Sequence, residues 1–346
     1  MKQHYLFLAV VLFLSLVYMS CKDYSGIYTG YSWQGEAQGV LLSDATQKIE
    51  TTLTLDKKSK ITDAKILFYV KNKKGEWKTR QDTNADVKID YSITPTAATP
   101  QSGTNEYKKG ASMFTIKTND LMSFYSVGVS KDGVIAFAFV EPMTRYMFEM
   151  KFDSKFDFNK TIDSLTIGNG GIVPSTRTSG SGSLKPVQWS DLSDKNLFGF
   201  YRDSYIYTGR GTFKGLTPTS TIKEFLEKAG VSFVDGKSVA MEPVYGFYAN
   251  GGWAGNYKAI EQFLTGKDAR KYTSLIDWTN QKYAKGINKE NFFGLDATSG
   301  ATKTVQNSSD GISGATVRMS RESTSYQRAL VNANIIKESE VVKGRF

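Results

Sequence analysis

Beyond Cys21 this 346-residue chain contains neither a cysteine nor a histidine, His4 being its only imidazole, and that removes most ways of stapling or arming a fold. No disulfide can form within the chain. Thiolate-bound zinc, iron–sulfur clusters, CxxCH haem, a cysteine nucleophile and a Ser-His-Asp triad all need the missing side chains. The fold must therefore be held by apolar burial, for which 40% hydrophobic and 13% aromatic residues are ample. If the protein moves electrons, an organic cofactor must carry them.

At the N-terminus, Lys2 and His4 precede an apolar run from Tyr5 to Met19. It is shorter than the roughly 20 residues of a comfortable membrane span, and it ends at Ser20-Cys21. Residues 1–20 read as a signal segment of lipoprotein type, with Cys21 the lipid-modified first residue of the mature chain. Tyr18 departs from that pattern, since Leu is usual there, and plain secretion or a retained anchor are the other readings. The net charge of +10 drops by one when Lys2 leaves. So basic a chain suggests nucleic acid, but export argues against it, and no nucleic-acid partner is expected. A basic face towards an anionic membrane or an acidic redox partner fits better, beside the plainer reading of a solvated surface.

The first half is β-rich. Residues Thr51–Leu55, Ile61–Val70, Val87–Thr94, Met113–Thr118, Phe124–Val129, Val134–Val140 and Tyr146–Phe152 are rich in β-branched and aromatic side chains and often alternate. Lys131-Asp132-Gly133 supplies a hairpin turn between two of these strands. Gly168 to Lys185 is a Gly/Ser-rich run that suits a linker.

The second half is mixed. Thr221-Ile222-Lys223-Glu224 is a capping box opening a helix that Gly230 closes. Tyr257–Leu264 and Ala269–Lys285 read as further helices, and Phe198–Tyr207, Ser238–Glu242 and Val244–Ala249 as strands. The expected fold is α+β, with a β-rich domain over 21–163, a linker over 164–190 and a mixed α+β domain over 191–346. Gly251-Gly252-Trp253-Ala254-Gly255-Asn256 is a possible phosphate-facing loop or aromatic platform, although packing of Trp253 into a core is the commoner outcome. No metal site and no carboxylate pair for acid–base chemistry is expected.

The chain also repeats itself. Asp296-Ala297-Thr298-Ser299-Gly300-Ala301-Thr302 is followed fourteen positions later by Asp310-Gly311-Ile312-Ser313-Gly314-Ala315-Thr316, the same D-x-x-S-G-A-T phrase twice. Small residues let backbone N–H groups approach an anion closely, and Gly reaches the φ > 0 conformations of anion-binding nests. After the second copy, Ser320 to Ser323 could cap a helix carrying Tyr326, Ala329, Leu330, Ala333 and Ile336 on one stripe. A loop entering a helix N-terminus favours phosphate.

This phrase resembles the motif of the FMN-binding domains in flavin subunits of Rnf and sodium-pumping NADH:quinone reductase complexes, and in exported electron-transfer flavoproteins. In that family an ApbE-type flavin transferase joins the phosphate of FMN to the last Thr. The resemblance implies covalent FMN at Thr302 and/or Thr316, with Asp296, Ser299, Gly300, Ala301, Asp310, Ser313, Gly314 and Ala315 completing the two loops. The first copy keeps the family's downstream hydroxyl at Thr304 but lacks a following helix; the second leads into the helix but lacks the hydroxyl. The opening Tyr24-Ser25-Gly26-Ile27-Tyr28-Thr29-Gly30, with Lys60 to Leu67, is similar to the family's first strands, so the first half can also be read as a degenerate repeat. The implied function is electron relay at the cell envelope by a membrane-anchored flavoprotein with an unidentified redox partner. A binding or structural lipoprotein with a vestigial motif, or a flavin-dependent reductase, are the alternatives.

Overall fold

The protein is α+β. The structure, a computed structural model, describes residues 22–100, 107–118, 124–140, 146–167, 171–177, 211–247, 252–276 and 320–344. Its strands in chain order begin with β1 (Gly26–Trp33), β2 (Gln47–Leu55), β3 (Ile61–Lys71) and β4 (Trp77–Thr79), which form one sheet in that order. β5 (Ala85–Ile89), β6 (Thr99–Pro100), β7 (Tyr107–Lys108) and β8 (Phe114–Thr118) make two short pairs, β5 with β8 and β6 with β7. Then come β9 (Tyr125–Val129), β10 (Ile135–Val140), β11 (Tyr146–Phe152), β12 (Val173–Arg177), the small hairpin of β13 (Phe233–Val234) and β14 (Lys237–Ser238), and β15 (Met241–Gly246). The helices are α1 (Ile222–Lys228), α2 (Gly252–Leu264) and α3 (Ser320–Asn332).

The chain divides into two compact units. Among the described residues the first holds 22–66, 258–276 and 320–344, and the second lies within 67–257.

The second unit is built on the antiparallel sheet β12-β11-β10-β9-β15. Successive strand side chains point to opposite faces, so a strand buried on both sides must be apolar throughout. β10 is such a strand. Ile135, Phe137 and Phe139 join a core completed by Ile222, Phe225 and Leu226 of α1, whereas Ala136, Ala138 and Val140 join another with Phe124, Met147 and the β8 residue Phe114. Phe137 lies 4.7 Å from Phe225, ring centre to ring centre. α1 starts where its capping box predicts: Thr221 accepts from Glu224 N at 3.1 Å, and the Glu224 carboxylate accepts from Thr221 N at 2.6 Å.

The sheet itself carries a finding the linear reading lacks. β15 pairs antiparallel with β9, and α1 packs on the same core as β9 to β11. The Gly/Ser-rich stretch from 164 to 190 thus does not separate the cores of the residues on either side of it.

In the first unit, β1 and β2 pair from Gly26↔Leu55 to Trp33↔Lys48. β2 alternates cleanly, with Ile49, Thr51, Leu53 and Leu55 turned inwards. α3 covers this face and one edge as well. Arg328 donates to Tyr31 O at 2.7 Å and Asn332 to Thr29 O at 2.6 Å, so two carbonyls of the edge strand are occupied by helix side chains. A covered edge cannot template pairing with another chain.

Three expectations are corrected. Residues 269–276 are not helical: Asp268 accepts from the Arg270 backbone N–H at 3.1 Å, and the chain then continues without helical structure through Ile276. The rest of the expected helix, 277–285, lies outside the described residues. The strand expected over 87–94 ends at Ile89, because the Asp90 carboxylate turns the chain by accepting from Ser92 N at 3.0 Å. α2 starts five residues earlier than the Tyr257 expected for it, at Gly252, and takes in Trp253.

Candidate functional site

Both copies of the repeated phrase lie outside the described residues, so Asp296, Ser299, Gly300, Ala301, Thr302, Thr304, Asp310, Ser313, Gly314, Ala315 and Thr316 have no geometry to report, and neither does Cys21. The strand expected over 198–207 lies outside them too. What is described is the helix that the second phrase enters: Ser320 follows Thr316 by four positions.

α3 is an unusual helix. Ser320, Glu322, Ser323, Thr324, Ser325 and Gln327 are all buried, together with Tyr326, Ala329 and Leu330. A polar helix enclosed on several sides is tolerable only if its hydroxyls and amides meet partners. They do, and the partners are mostly backbone groups of irregular chain that have no ladder of their own. Leu275 N donates to Ser323 Oγ at 3.1 Å, Gln327 Nε2 donates to Thr273 O at 3.2 Å, and Tyr326 Oη donates to Tyr272 O. On another side the C-terminal segment is held: Thr324 Oγ1 donates to Val342 O and accepts from Gly344 N, both at 2.8 Å, while Val342 N donates to Gln327 Oε1 at 2.9 Å. Towards the sheet, Ser325 Oγ and Thr51 Oγ1 lie 2.7 Å apart, and Ser32 Oγ donates to Arg321 O at 2.7 Å.

This corrects the capping expectation. Ser320 and Ser323 lie within the helix and are buried, and Ser323 and Thr324 spend their hydroxyls on segments 272–276 and 342–344. Of the expected apolar stripe, Tyr326, Ala329, Leu330 and Ala333 are buried, but the helix ends at Asn332 and Ile336, beyond it, is only half-buried. Burial pushes the Tyr326 phenol far up from its ordinary range, with the neighbouring Tyr272 acting in the same direction, so it serves as a hydrogen-bond donor and not as a titrating group.

α3 meets β1 at Gly30. A β-carbon built there would sit 2.2 Å from Ala329 N and 2.2 Å from Ser325 O, so only glycine admits the helix backbone this close to the strand. Nearby, the Arg328 guanidinium lies 4.9 Å from the centre of the Trp33 ring, bonds Glu36, and reaches Glu338 at 3.1 Å.

No family model, characterised protein or solved structure matches the chain.

Trp253 is buried, 4.9 Å from Phe68 and 5.4 Å from Tyr257, with both rings edge-on to it. It belongs to a core, not to a platform. Among the described residues no group of His, Cys, Asp or Glu could hold a metal ion, and no helix is long and apolar enough to cross a membrane.

The described part of α3 also tests whether a phosphate could be held by the helix itself. The hydroxyls of Ser323 and Thr324 already have protein partners, and Glu322 places a carboxylate in the first turn, 2.9 Å from Arg321 Nε. The side-chain hydroxyls of this turn are thus engaged, and the candidate phosphate-binding residue types nearest in sequence are those of the Ser313-Gly314-Ala315-Thr316 phrase. The residue types there fit a phosphate: small side chains, a glycine and a hydroxyl. Sequence reasoning missed Thr51, Arg328 and Gln327, whose roles depend on partners far away in the chain and leave no local pattern.

Proposed function

We propose that the protein is an exported FMN-binding flavoprotein, anchored through Cys21, that carries FMN covalently on Thr316 and/or Thr302 and relays electrons at the cell envelope. One observation supports this above the others. The stretches that resemble the FMN-binding family, Tyr24 to Gly30 with Lys60 to Leu67 near the start and the phrase-plus-helix near the end, lie towards opposite ends of the chain, yet β1 and α3 meet in backbone contact at Gly30. Two fragments of one domain should pack on each other, whereas two repeats should each pack on themselves. The first strands and the terminal helix are therefore best read as two halves of a single domain, with residues 67–257 forming a separate unit between them.

In this reading the chain's own tasks are simple. Thr316 would supply the hydroxyl that takes the FMN phosphoryl group from FAD, with AMP as the leaving group and the hydroxyl proton passing to it or to solvent. An ApbE-type transferase catalyses that step. Bound FMN supplies reversible electron uptake. α3, fixed by its side-chain bonds to β1, 272–276 and 342–344, begins four positions after Thr316, and a helix N-terminus favours phosphate. A covalent tether also makes physical sense outside the cytoplasm, since occupancy by affinity alone follows the free cofactor concentration.

The test is a protein produced in exported form beside its transferase and run on a denaturing gel. Flavin fluorescence in the band supports the proposal, since noncovalent flavin is lost on denaturation. A non-fluorescent band of unmodified mass, from cells whose transferase acts on other proteins, would leave the phrase vestigial.

A further inference from the structure

The first described residues, the tip of one hairpin and one turn come together into a basic end of the first unit. Between β2 and β3 the turn carries Lys57, Lys58 and Lys60, all exposed. The turn after α2 carries Lys267, Arg270 and Lys271. These two turns are bonded directly: Ile61 N donates to Lys267 O at 2.9 Å, Gly266 N to Ile61 O at 2.8 Å, and Ala269 N to Ser59 O at 2.9 Å. Ser59 Oγ donates to Asp268 Oδ1 at 2.6 Å, which locks one turn against the other.

The chain enters the fold at this same end. Tyr24 N donates to Lys57 O, and the Tyr24 ring lies between Lys22, 5.1 Å from its centre, and Arg270, 5.7 Å from it. Seven cations thus surround the entry point against three carboxylates, Asp23, Asp56 and Asp268. All three carboxylates are committed locally. Asp23 accepts from Ser25 N, Asp56 from Lys58 N and Lys60 N, and Asp268 from Arg270. Arg270 and Ser59 hold the Asp268 carboxyl well below its ordinary range, so it remains a fixed anion within a surplus of positive charge.

Apolar surface accompanies the charge. The register sets Gly26 opposite Leu55 and Ile27 opposite Thr54, beside the basic turn, and the Ile27 side chain is 72% exposed. A β-branched apolar residue, a tyrosine between two cations and a ring of lysines make up the composition of a surface that settles into a headgroup layer.

We propose that this end of the protein is a membrane-docking face for an anionic lipid bilayer. It rests on the reading of Cys21 as the anchoring residue, because that reading places a bilayer within one residue of Lys22. Acyl chains on Cys21 would hold one point of the chain at the bilayer and leave the domain free to turn about it. The basic end adds an electrostatic contact and fixes the orientation of the domain. Each lysine or arginine held at an anionic surface raises partitioning about fivefold, within a Debye length of the lipid.

The experiment uses the full exported chain carrying Cys21→Ser, so that no acyl chain contributes, in sedimentation with phosphatidylcholine vesicles with and without about 30% phosphatidylglycerol. The expected result is at least tenfold stronger binding to the anionic vesicles, abolished at about 0.5 M salt. Lys57→Glu/Lys58→Glu/Lys60→Glu should remove it, whereas Lys73→Glu/Lys74→Glu, on an exposed turn of the second unit, should leave it unchanged. Equal loss in both variants would reduce the effect to net charge, and no preference for anionic vesicles would overturn the proposal. The anchor is judged separately, by the intact mass of the wild-type protein: an unacylated Cys21 would remove the anchor and leave the vesicle result standing.

Discussion

Gly30 and Ala329 lie so close that strand and helix touch through their backbones, a β-carbon at position 30 falling 2.2 Å from Ala329 N. This contact joins the beginning of the chain to its end. Because the atoms in the way belong to helix backbone, relief requires α3 to move, and α3 is tied on other sides to 272–276 and 342–344.

Gly30→Ala should therefore destabilise the first unit by about 1–3 kcal/mol or more, the usual range for forced overpacking. Gly128→Ala is the informative comparison. There the added carbon crowds the far ends of Tyr91 and Ile89, which can swing aside, and meets the Pro243 backbone at an ordinary 3.6 Å, so a smaller loss is expected. Urea denaturation of both variants measures this, and equal losses would contradict the backbone-contact argument.

Arg328 provides a second check. It donates to Tyr31 O at 2.7 Å, pairs with Glu36, whose side chain is largely buried, and packs over Trp33. Among the described residues Arg328→Ala leaves the Glu36 carboxylate only Lys343, 4.0 Å away, and should cost about 1.5–3 kcal/mol, the range for a lost hydrogen bond to a charged group. Arg328→Lys should recover little, since one ammonium cannot span Tyr31 O, Glu36 and Glu338 as the planar guanidinium fork does, nor stack flat on indole. Adding Glu36→Gln to Arg328→Ala should restore part of the loss, and a double-mutant cycle on thermal or urea unfolding reads this directly.

The strands of the second unit were legible because β10 is a continuous run of Ile, Ala, Phe and Val and because β9 and β11 are dense in β-branched, aromatic and Met side chains, and α1 because Thr221 and Glu224 write its first turn into four adjacent positions. Local patterns of this kind survive without knowledge of the partner. The pairing of β15 with β9 did not show, because pairing depends on what lies across more than 100 residues of chain. The segment 269–276 was misread for a related reason: its apolar spacing suits a helix, but its backbone is satisfied by Ser323, Tyr326 and Gln327, about 50 positions away. α3 was legible as a helix and as an apolar stripe. Its buried polar side was not, since serine and threonine in a sequence read as surface or cap until their partners are known. For the candidate site, the repeated phrase is a sequence feature alone, and the structure contributes the helix behind it.

Glu149 gives a prediction in pH. It is fully buried and accepts from the hydroxyls of Ser112 and Ser175 and from Met113 N at 2.9 Å. Burial pushes its carboxyl up, and these three donors pull it partly back. A raised folded-state value means the folded protein binds the proton more tightly than the unfolded chain does. Stability should fall as pH rises from about the ordinary value of 4.5 through the raised one, and then level off. Glu149→Gln should reduce that slope, seen as a difference between melting temperatures measured across mildly acid to neutral pH, while Glu261, also raised by burial, keeps its own share. An unchanged slope would mean that another group is responsible.

The central claim is tested most directly by peptide mass mapping of the protein exported beside a working flavin transferase, in the wild type, Thr302→Ala, Thr316→Ala and the double variant. Thr316 is the favoured acceptor because α3, which must hold the site after the transferase departs, follows it and not Thr302. The account predicts an added FMN phosphoryl mass on the peptide containing Thr316, retained in Thr302→Ala and absent from the double variant. Unmodified peptides throughout, or flavin that survives in the double variant, would contradict it.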